Sequence, residues 1–383
     1  MVEHTLGKGE VASSILALGS TSSLPNNSFY GGQQADIVPS TGGVLRSIYK
    51  EAQIGIEIVS LIDSESQVFV TGSEDKRDRA IALGMFDGLH LGHQSLVKEV
   101  VDYSDKNNLI PSAMTFRVPP IHWLSPETEI ELLTSLDERL ELFKSFGIEQ
   151  VIIFDFPEIS KLEAKDYFNN VLNDLLRAKF LVSGNNHFFG KNKQGNIDML
   201  SIWAIQNGIK YKLIEPIEDA NGNLISSSLI RKFLKEAKIR EANQISGHNF
   251  LIVGELMNGK KLGRKLGFPT LNLKYPKDKV SLKFGVYGAL TEIDGELLLS
   301  AANYGIRPTV GVNPEPLLES HLLFLDEEYI NKLEKLKEGD KLKVYLIDFI
   351  RAERKFNSIE ELKAEIQQDC KQIRNVFSGL HGV

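Results

Sequence analysis

Residues 81–93 read Ile81-Ala82-Leu83-Gly84-Met85-Phe86-Asp87-Gly88-Leu89-His90-Leu91-Gly92-His93. A short apolar run suited to a buried strand ends at Gly84, and an amphipathic helix begins near Gly92. Glycines at 84, 88 and 92 let backbone and ligand approach closely, while the helix start offers unpaired N–H groups and a positive dipole end to a phosphate. His90 and His93 can face that phosphate. When a nucleoside triphosphate is attacked at its α-phosphate, charge gathers on non-bridging and leaving oxygens, so imidazole donors there favour the transition state and no protein nucleophile is needed. An arbitrary HxxH beside a turn is most often a solvated loop; Asp87 and the three glycines reverse that estimate. A metal site would need a third ligand at defined spacing, and none is evident.

The surrounding pattern extends this strand and helix into a domain. Apolar runs at residues 112–116, 151–156, 180–183 and 211–215 alternate with helical periodicity, as in Leu96, Val97, Val100 and Val101, then Leu136, Leu140 and Phe143, then Phe168, Val171, Leu172 and Leu175. That rhythm predicts a doubly wound parallel α/β sheet over residues 56–243, with ligands beyond the carboxyl ends of the strands. From residue 247 the pattern changes to extended segments at 250–257, 270–274, 285–293, 297–303, 321–325 and 341–349. Six such strands can close into an antiparallel β-barrel. Ser358 followed by Glu361 is a capping-box pattern, and Leu362, Ile366 and Ile373 continue it as a helix expected to pack on the barrel.

At 383 residues, with 42% hydrophobic and 25% charged residues, the chain is large enough for two cores and is neither collagen-like nor wholly disordered. A formal charge of −7 argues against a nucleic-acid or membrane-surface binder driven by bulk charge. Cys370 stands alone, which excludes an intramolecular disulfide and a thiolate zinc cluster and suits a reducing cytoplasm. No apolar stretch is long enough for a bilayer span and no signal-peptide pattern opens the chain, so neither export nor membrane insertion is expected. Residues 1–55 are rich in Gly, Ser, Thr and Asn without a period, and read as a disordered extension. Residues 2–21 resemble a mistakenly translated transfer-RNA gene, which would place the true start later. No feature fixes an oligomeric state.

A second constellation lies in the barrel region. Residues 254–272 read GELMNGKKLGRKLGFPTLN, a basic loop punctuated by Gly259, Gly263 and Gly267 and followed by Thr270 and Asn272. Backbone amides of such a loop, with Arg264, can surround polyphosphate, and a hydroxyl and a carboxamide oxygen are hard ligands of the kind Mg²⁺ prefers. It is not the GxxxxGK[ST] P-loop.

These motifs resemble a known family. GxFDGxHxGH after a strand resembles the nucleotidyltransferase signature of bacterial bifunctional riboflavin kinase/FAD synthetases, and residues 254–272 resemble their kinase signature GxxxGRxLGFPTAN, with Leu271 in place of alanine. Residues 133–140 (LTSLDERL), 184–190 (GNNHFFG, followed by Gly195) and 225–231 (ISSSLIR) recur in family order, as do 284–287 (FGVY), 303–309 (NYGIRPT), 319–323 (ESHLL) and 351–356 (RAERKF).

The resemblance implies two ATP-dependent reactions: phosphorylation of riboflavin to FMN, and adenylylation of FMN to FAD with release of pyrophosphate. It implies His90, His93 and Arg231 as catalytic groups of the second reaction. Gly84, Phe86, Asp87, Gly88, Gly92, Ser227 and Ser228 would bind its ATP, with Asn186 and Phe189 at the flavin. For the kinase it implies Gly259, Gly263, Arg264 and Gly267 on ATP, Mg²⁺ at Thr270 and Asn272, Asn303 and Arg307 at the flavin, and Glu319 as the base that takes the hydroxyl proton. Two positions depart. Pro119 fills the histidine slot of the family's TFEPHP, with His122 three residues beyond, and His187 stands where an aromatic is usual. A donor missing near the phosphates removes roughly 3 kcal/mol of transition-state stabilisation. Alternatives are therefore a riboflavin kinase with an impaired adenylyltransferase domain, or a non-catalytic flavin-binding regulator.

Overall fold

The computed structural model describes residues 56–60, 68–69, 77–127, 129, 131–257, 270–306, 316–323 and 327–380. Residues 1–55, the glycine-punctuated loop carrying Gly259, Gly263, Arg264 and Gly267, and Arg307 lie outside them.

The first domain is a seven-stranded sheet in the order β2-β1-β5-β4-β3-β6-β7. Its strands are β1 (Ile56–Ser60), β2 (Val68–Phe69), β3 (Arg79–Leu83), β4 (Ile110–Phe116), β5 (Gln150–Phe154), β6 (Ala178–Gly184) and β7 (Lys210–Ile214). β3 to β7 are parallel, as the alternation predicts. An antiparallel hairpin, β1 with β2, covers the β5 edge, which the sequence pattern did not anticipate. Both faces of a parallel sheet are covered, so its strands are continuous apolar runs; every residue of β3 and β5 is buried. Helix α1 (Leu91–Asn107) follows β3, and its buried face is Leu96, Val97 and Val100. The expected helix around Phe168 is present as a π-helix over Tyr167–Leu175. Further helices are α2 (Pro120–Leu124), α3 (Leu136–Ser145), α4 (Ile197–Gln206), α5 (Ser227–Lys235) and α6 (Ile239–Ser246).

The second domain is a closed barrel in the order β10-β11-β12-β9-β8-β13, with every pair antiparallel. The strands are β8 (Phe250–Leu256), β9 (Thr270–Lys274), β10 (Gly285–Ile293), β11 (Glu296–Ile306), β12 (Pro316–Leu322) and β13 (Lys341–Ala352). The strand expected at 321–325 instead ends at Leu322 and begins at Pro316. Its alternation, with Leu318, Ser320 and Leu322 buried, places the polar pair Glu319-Ser320 inside the strand, where an apolar run alone does not reveal it. α7 (Glu327–Lys335) precedes β13 and α8 (Ile359–Leu380) closes the described chain. Ile373 of α8 packs on Val286 and Ala301, on the outer face of the barrel.

The two domains share core. Ile230 and Leu234 of α5 and Ala242 and Ile245 of α6 belong to one buried cluster with Ile252, Tyr287 and Leu346 of the barrel. Leu251 of β8 is buried among Phe86, Leu89 and Leu142 of the α/β domain.

Candidate active sites

In the parallel sheet β3 is the strand where the order reverses, with β4 on one side and β6 on the other. A crevice forms beyond the carboxyl ends at such a switch point. Here it is a cavity of about 1260 Å³ lined by Gly84, His90, Gly92 and His93 after β3, by Asn186 to Gly190 after β6, and by Ser226, Ser227 and Ser228 at the start of α5.

His90 is the N-cap of α1: its Nδ1 accepts from the His93 N–H at 3.4 Å. The two imidazoles stack with centroids 3.8 Å apart, and Phe86 lies 5.1 Å from His93 beneath them. Burial lowers the His90 pKa to about 4, with Asp87 opposing and His248 adding to the effect. Burial, then the neighbouring His90, holds His93 well below the ordinary imidazole value. Both rings are therefore neutral at pH 7, and since Nδ1 of His90 accepts, its Nε2–H is left to donate into the cavity. A Cβ at Gly92 would sit 3.2 Å from the His90 ring, a tight approach that would press on it.

Asp87 does not line this cavity. It is 5% exposed, and Oδ1 accepts from Leu133 N at 2.9 Å, Thr134 N at 3.0 Å and Thr134 Oγ1 at 3.2 Å. The Arg231 guanidinium pairs with Oδ2 and donates through Nε to Glu131 O at 2.6 Å. Gly88, in the left-handed region at φ 81°, donates to Thr134 Oγ1 at 3.0 Å, and a Cβ there would meet Leu133 at 2.6 Å. The turn is thus bracketed from residues 133, 134 and 231, and His248 Nε2 donates to Gly88 O at 3.0 Å from the start of the barrel domain. Ser226 caps α5, Ser227 Oγ donates to Asp87 O at 2.8 Å, and Ser228 lines the cavity. Asp87, Gly88 and Arg231 are brought together as a bracket behind the turn that leads into His90.

The other end of the cavity is apolar, with Phe116, Phe154, Phe156 and Tyr167 in its wall. Phe189 is buried there and His187 stacks on it at 5.9 Å and 26°. Burial lowers the His187 pKa to about 4 and its Nε2 lacks a partner among the described residues, so it serves as a neutral aromatic plate. Pro119 precedes α2; Pro120 and Leu124 line the cavity, whereas His122 is exposed and edges against Trp123.

In the barrel, strand register assembles the second site. Asn303 on β11 pairs with Glu319 on β12, which pairs with Asn272 on β9; His321 pairs with Thr270. Directly paired residues point to the same face, as do Thr270 and Asn272 at a spacing of two. Leu273, Leu318 and Tyr304 form the adjacent interior row, all buried, so the polar row lies on the outer face. Leu271 packs against the core, away from it. The Thr270 hydroxyl and the Asn272 carboxamide oxygen are hard donors of the kind Mg²⁺ takes, and the Glu319 carboxylate stands beside them.

Sequence reasoning missed Glu138, Arg139, His248 and Lys279. Arg139 is fully buried beneath the turn, donating to Thr115 Oγ1 at 2.7 Å and Met85 O at 3.2 Å. Glu138 closes a capping box with Ser135, a pattern readable as Ser-x-x-Glu, but its further partners are remote in sequence.

A switch-point cavity with a phosphate-ready helix, joined to a barrel with a hard-oxygen row, defines a two-site ATP-dependent transferase. The FAD synthetase family matches residues 72–229 and the riboflavin kinase family matches residues 246–377. The bifunctional riboflavin kinase/FMN adenylyltransferase of Buchnera aphidicola subsp. Schizaphis graminum is 32% identical over 78% of this chain and 94% of its own. That of Escherichia coli K12 is 31% identical over 78% of this chain and 92% of its own. The crystal structure of a macrolide-efflux protein from Streptococcus pneumoniae superposes with a TM-score of 0.67 at 26% identity, covering 79% of this chain and 95% of that one. The chain belongs to the bifunctional riboflavin kinase/FMN adenylyltransferase family. Among the described residues no helix is long and apolar enough to cross a membrane.

Proposed function

We propose that the outer barrel face phosphorylates the ribityl primary hydroxyl of riboflavin and that the switch-point cavity adenylylates the FMN so formed. As a member of its family the chain makes FMN from riboflavin and ATP, and FAD with pyrophosphate from FMN and ATP. The observation that carries the division of labour is that each family match contains its own polar site, the histidine pair in one and the Asn303–Glu319–Asn272 row in the other.

In the kinase step Glu319 takes the proton as the ribityl oxygen bonds to the γ-phosphorus and the bond to ADP breaks. Thr270 and Asn272 would hold Mg²⁺ with the ATP phosphates; the ion supplies charge neutralisation on the β- and γ-oxygens. Asn303, beside Glu319, orients the flavin hydroxyls. In the second step an FMN phosphate oxygen bonds to the α-phosphorus of ATP as the bond to pyrophosphate breaks. Neutral His90 and His93 and the N-terminus of α1 stabilise the charge that develops, and Ser228 at the start of α5 donates to the phosphates. Phe189 and the His187 plate pack the isoalloxazine. The single Cys370 suits a reducing cytoplasm.

Purified chain given riboflavin, ATP and Mg²⁺ should form FMN first and then FAD with pyrophosphate. FMN accumulating with no FAD favours a second reading, an impaired adenylyltransferase, for which Pro119 and the outward His122 are the supporting features. No FMN at all overturns the kinase assignment.

A further inference from the structure

The barrel domain sends one charged side chain into the bracket behind the nucleotide turn. Lys279, between β9 and β10, is 1% exposed at its side chain and pairs with Glu138 at 2.6 Å, itself fully buried. Its Nζ also donates to Leu133 O at 2.6 Å and sits 4.3 Å above the Phe250 ring. Backbone bonds on either side fix the approach: Leu132 N donates to Asp278 O at 2.7 Å and Val280 N to Leu132 O at 2.8 Å. Glu138 accepts in turn from Val253 N of β8 at 2.8 Å and from Ser135 N at 2.8 Å.

The Leu133 carbonyl and the Thr134 N–H are opposite ends of one planar trans peptide. Lys279 holds the carbonyl end, and the N–H end donates to Asp87 Oδ1 at 3.0 Å. Rotation of that plane would break both bonds at once and release the Thr134 hydroxyl that holds Gly88. A buried ion pair adds little stability over well-packed apolar residues, so what this pair contributes is direction. Opposing charges on a buried donor shorten and strengthen the bonds it makes. Charges facing Lys279 are Glu138 and, one peptide further, Asp87; the latter is itself paired with Arg231.

We propose that Lys279, carried by the barrel domain, is a positioning residue for adenylyl transfer, holding the Leu133-Thr134 peptide that brackets Asp87 so that the turn bearing His90 and His93 takes its working shape only with the barrel docked. The proposal rests on the adenylyl-transfer reading of the α/β cavity, and the kinase rate of the same molecule serves as its internal control.

The test uses the full chain with Lys279→Met, Lys279→Arg and the charge-neutral double variant Lys279→Met/Glu138→Gln, each assayed for FMN formation and for FAD formation from supplied FMN. Misplacement of reacting groups by about 1 Å costs up to about 100-fold, so kcat for FAD should fall at least about tenfold in Lys279→Met and in the double variant. FMN formation should stay within about twofold, and Lys279→Arg should restore part of the FAD rate. A parallel loss of both rates and of melting temperature, or a double variant with full FAD activity, overturns the proposal. Should the variants fail to fold, amide hydrogen exchange of the unaltered chain decides: the amides of Leu133 and Thr134 should open with those of Val253 and Val280 as one unit, and independent opening overturns it. If the unaltered chain makes FMN but no FAD, the adenylyl-transfer reading has failed, while the exchange result still judges the bracket.

Discussion

The two sites are built in different ways. In the barrel, backbone ladders joining β11, β12 and β9 place Asn303, Glu319 and Asn272 side by side, so strand register creates the row. In the α/β domain His90 and His93 follow a turn whose shape is held by side-chain and capping bonds from residues 133, 134, 231 and 248, remote in sequence. A site made by register tolerates distant change; a site made by a bracketed turn transmits it.

The largest expected effect separates the two outright. Glu319→Gln removes the proton acceptor and should slow FMN formation by about 10²–10⁴-fold, while FAD formation from supplied FMN is unchanged; paired product assays read both. If FAD formation falls as well, the sites are not independent in the direction the register implies.

Next, His93→Ala should reduce FAD formation by about 10²–10³-fold with FMN formation intact, measured as kcat for each half-reaction. Comparable loss from His90→Ala would show that the stacked pair acts as a unit.

Asp87→Ala strands the N–H groups of Leu133 and Thr134 and leaves Arg231 without its carboxylate. Leaving such buried N–H groups unpaired costs about 1–3 kcal/mol, read as a fall in denaturation midpoint with FAD formation lost before FMN formation. Equal loss of both activities would mean that the bracket supports the barrel as much as the turn.

The smallest effect sharpens the electrostatic contrast. The folded pKa of His187, about 4, lies below its unfolded value, because burial disfavours the charged ring. Between that folded value and an unfolded pKa of about 6.5 the unfolded chain binds more protons, so stability declines as pH falls through this window. His187→Phe should flatten that decline in a thermal melt while keeping FAD activity, since the ring already packs as a neutral plate.

Much of the fold was legible. Continuous apolar runs announced β3 and β5 as strands of a parallel sheet, and the change to turn-separated segments after Gly247 announced the barrel, because both patterns report which faces are buried. Glu319 was harder to place on a strand: the apolar stretch 321–325 suggested a later strand, while the observed one starts at Pro316 and carries three polar residues, Glu319, Ser320 and His321, whose partners lie across the sheet. The family resemblance implies Asp87 at the ATP. In the structure its side chain is held by the Leu133 and Thr134 amides and the Arg231 guanidinium, and sequence spacing carries no signal for those partners.

The amino-acid order by itself determined the two architectures, the glycine positions that let the turn form and the histidine pair, since periodicity, spacing and side-chain chemistry are local properties, whereas the oxygen row needed the cross-strand register of β9, β11 and β12. Tertiary structure alone decided that Asp87 and Arg231 face each other, that His90 and His93 lose their charge through burial, and that Lys279 of one domain grips a peptide of the other. Those outcomes depend on distance through space and on exclusion of water, neither of which a one-dimensional pattern encodes.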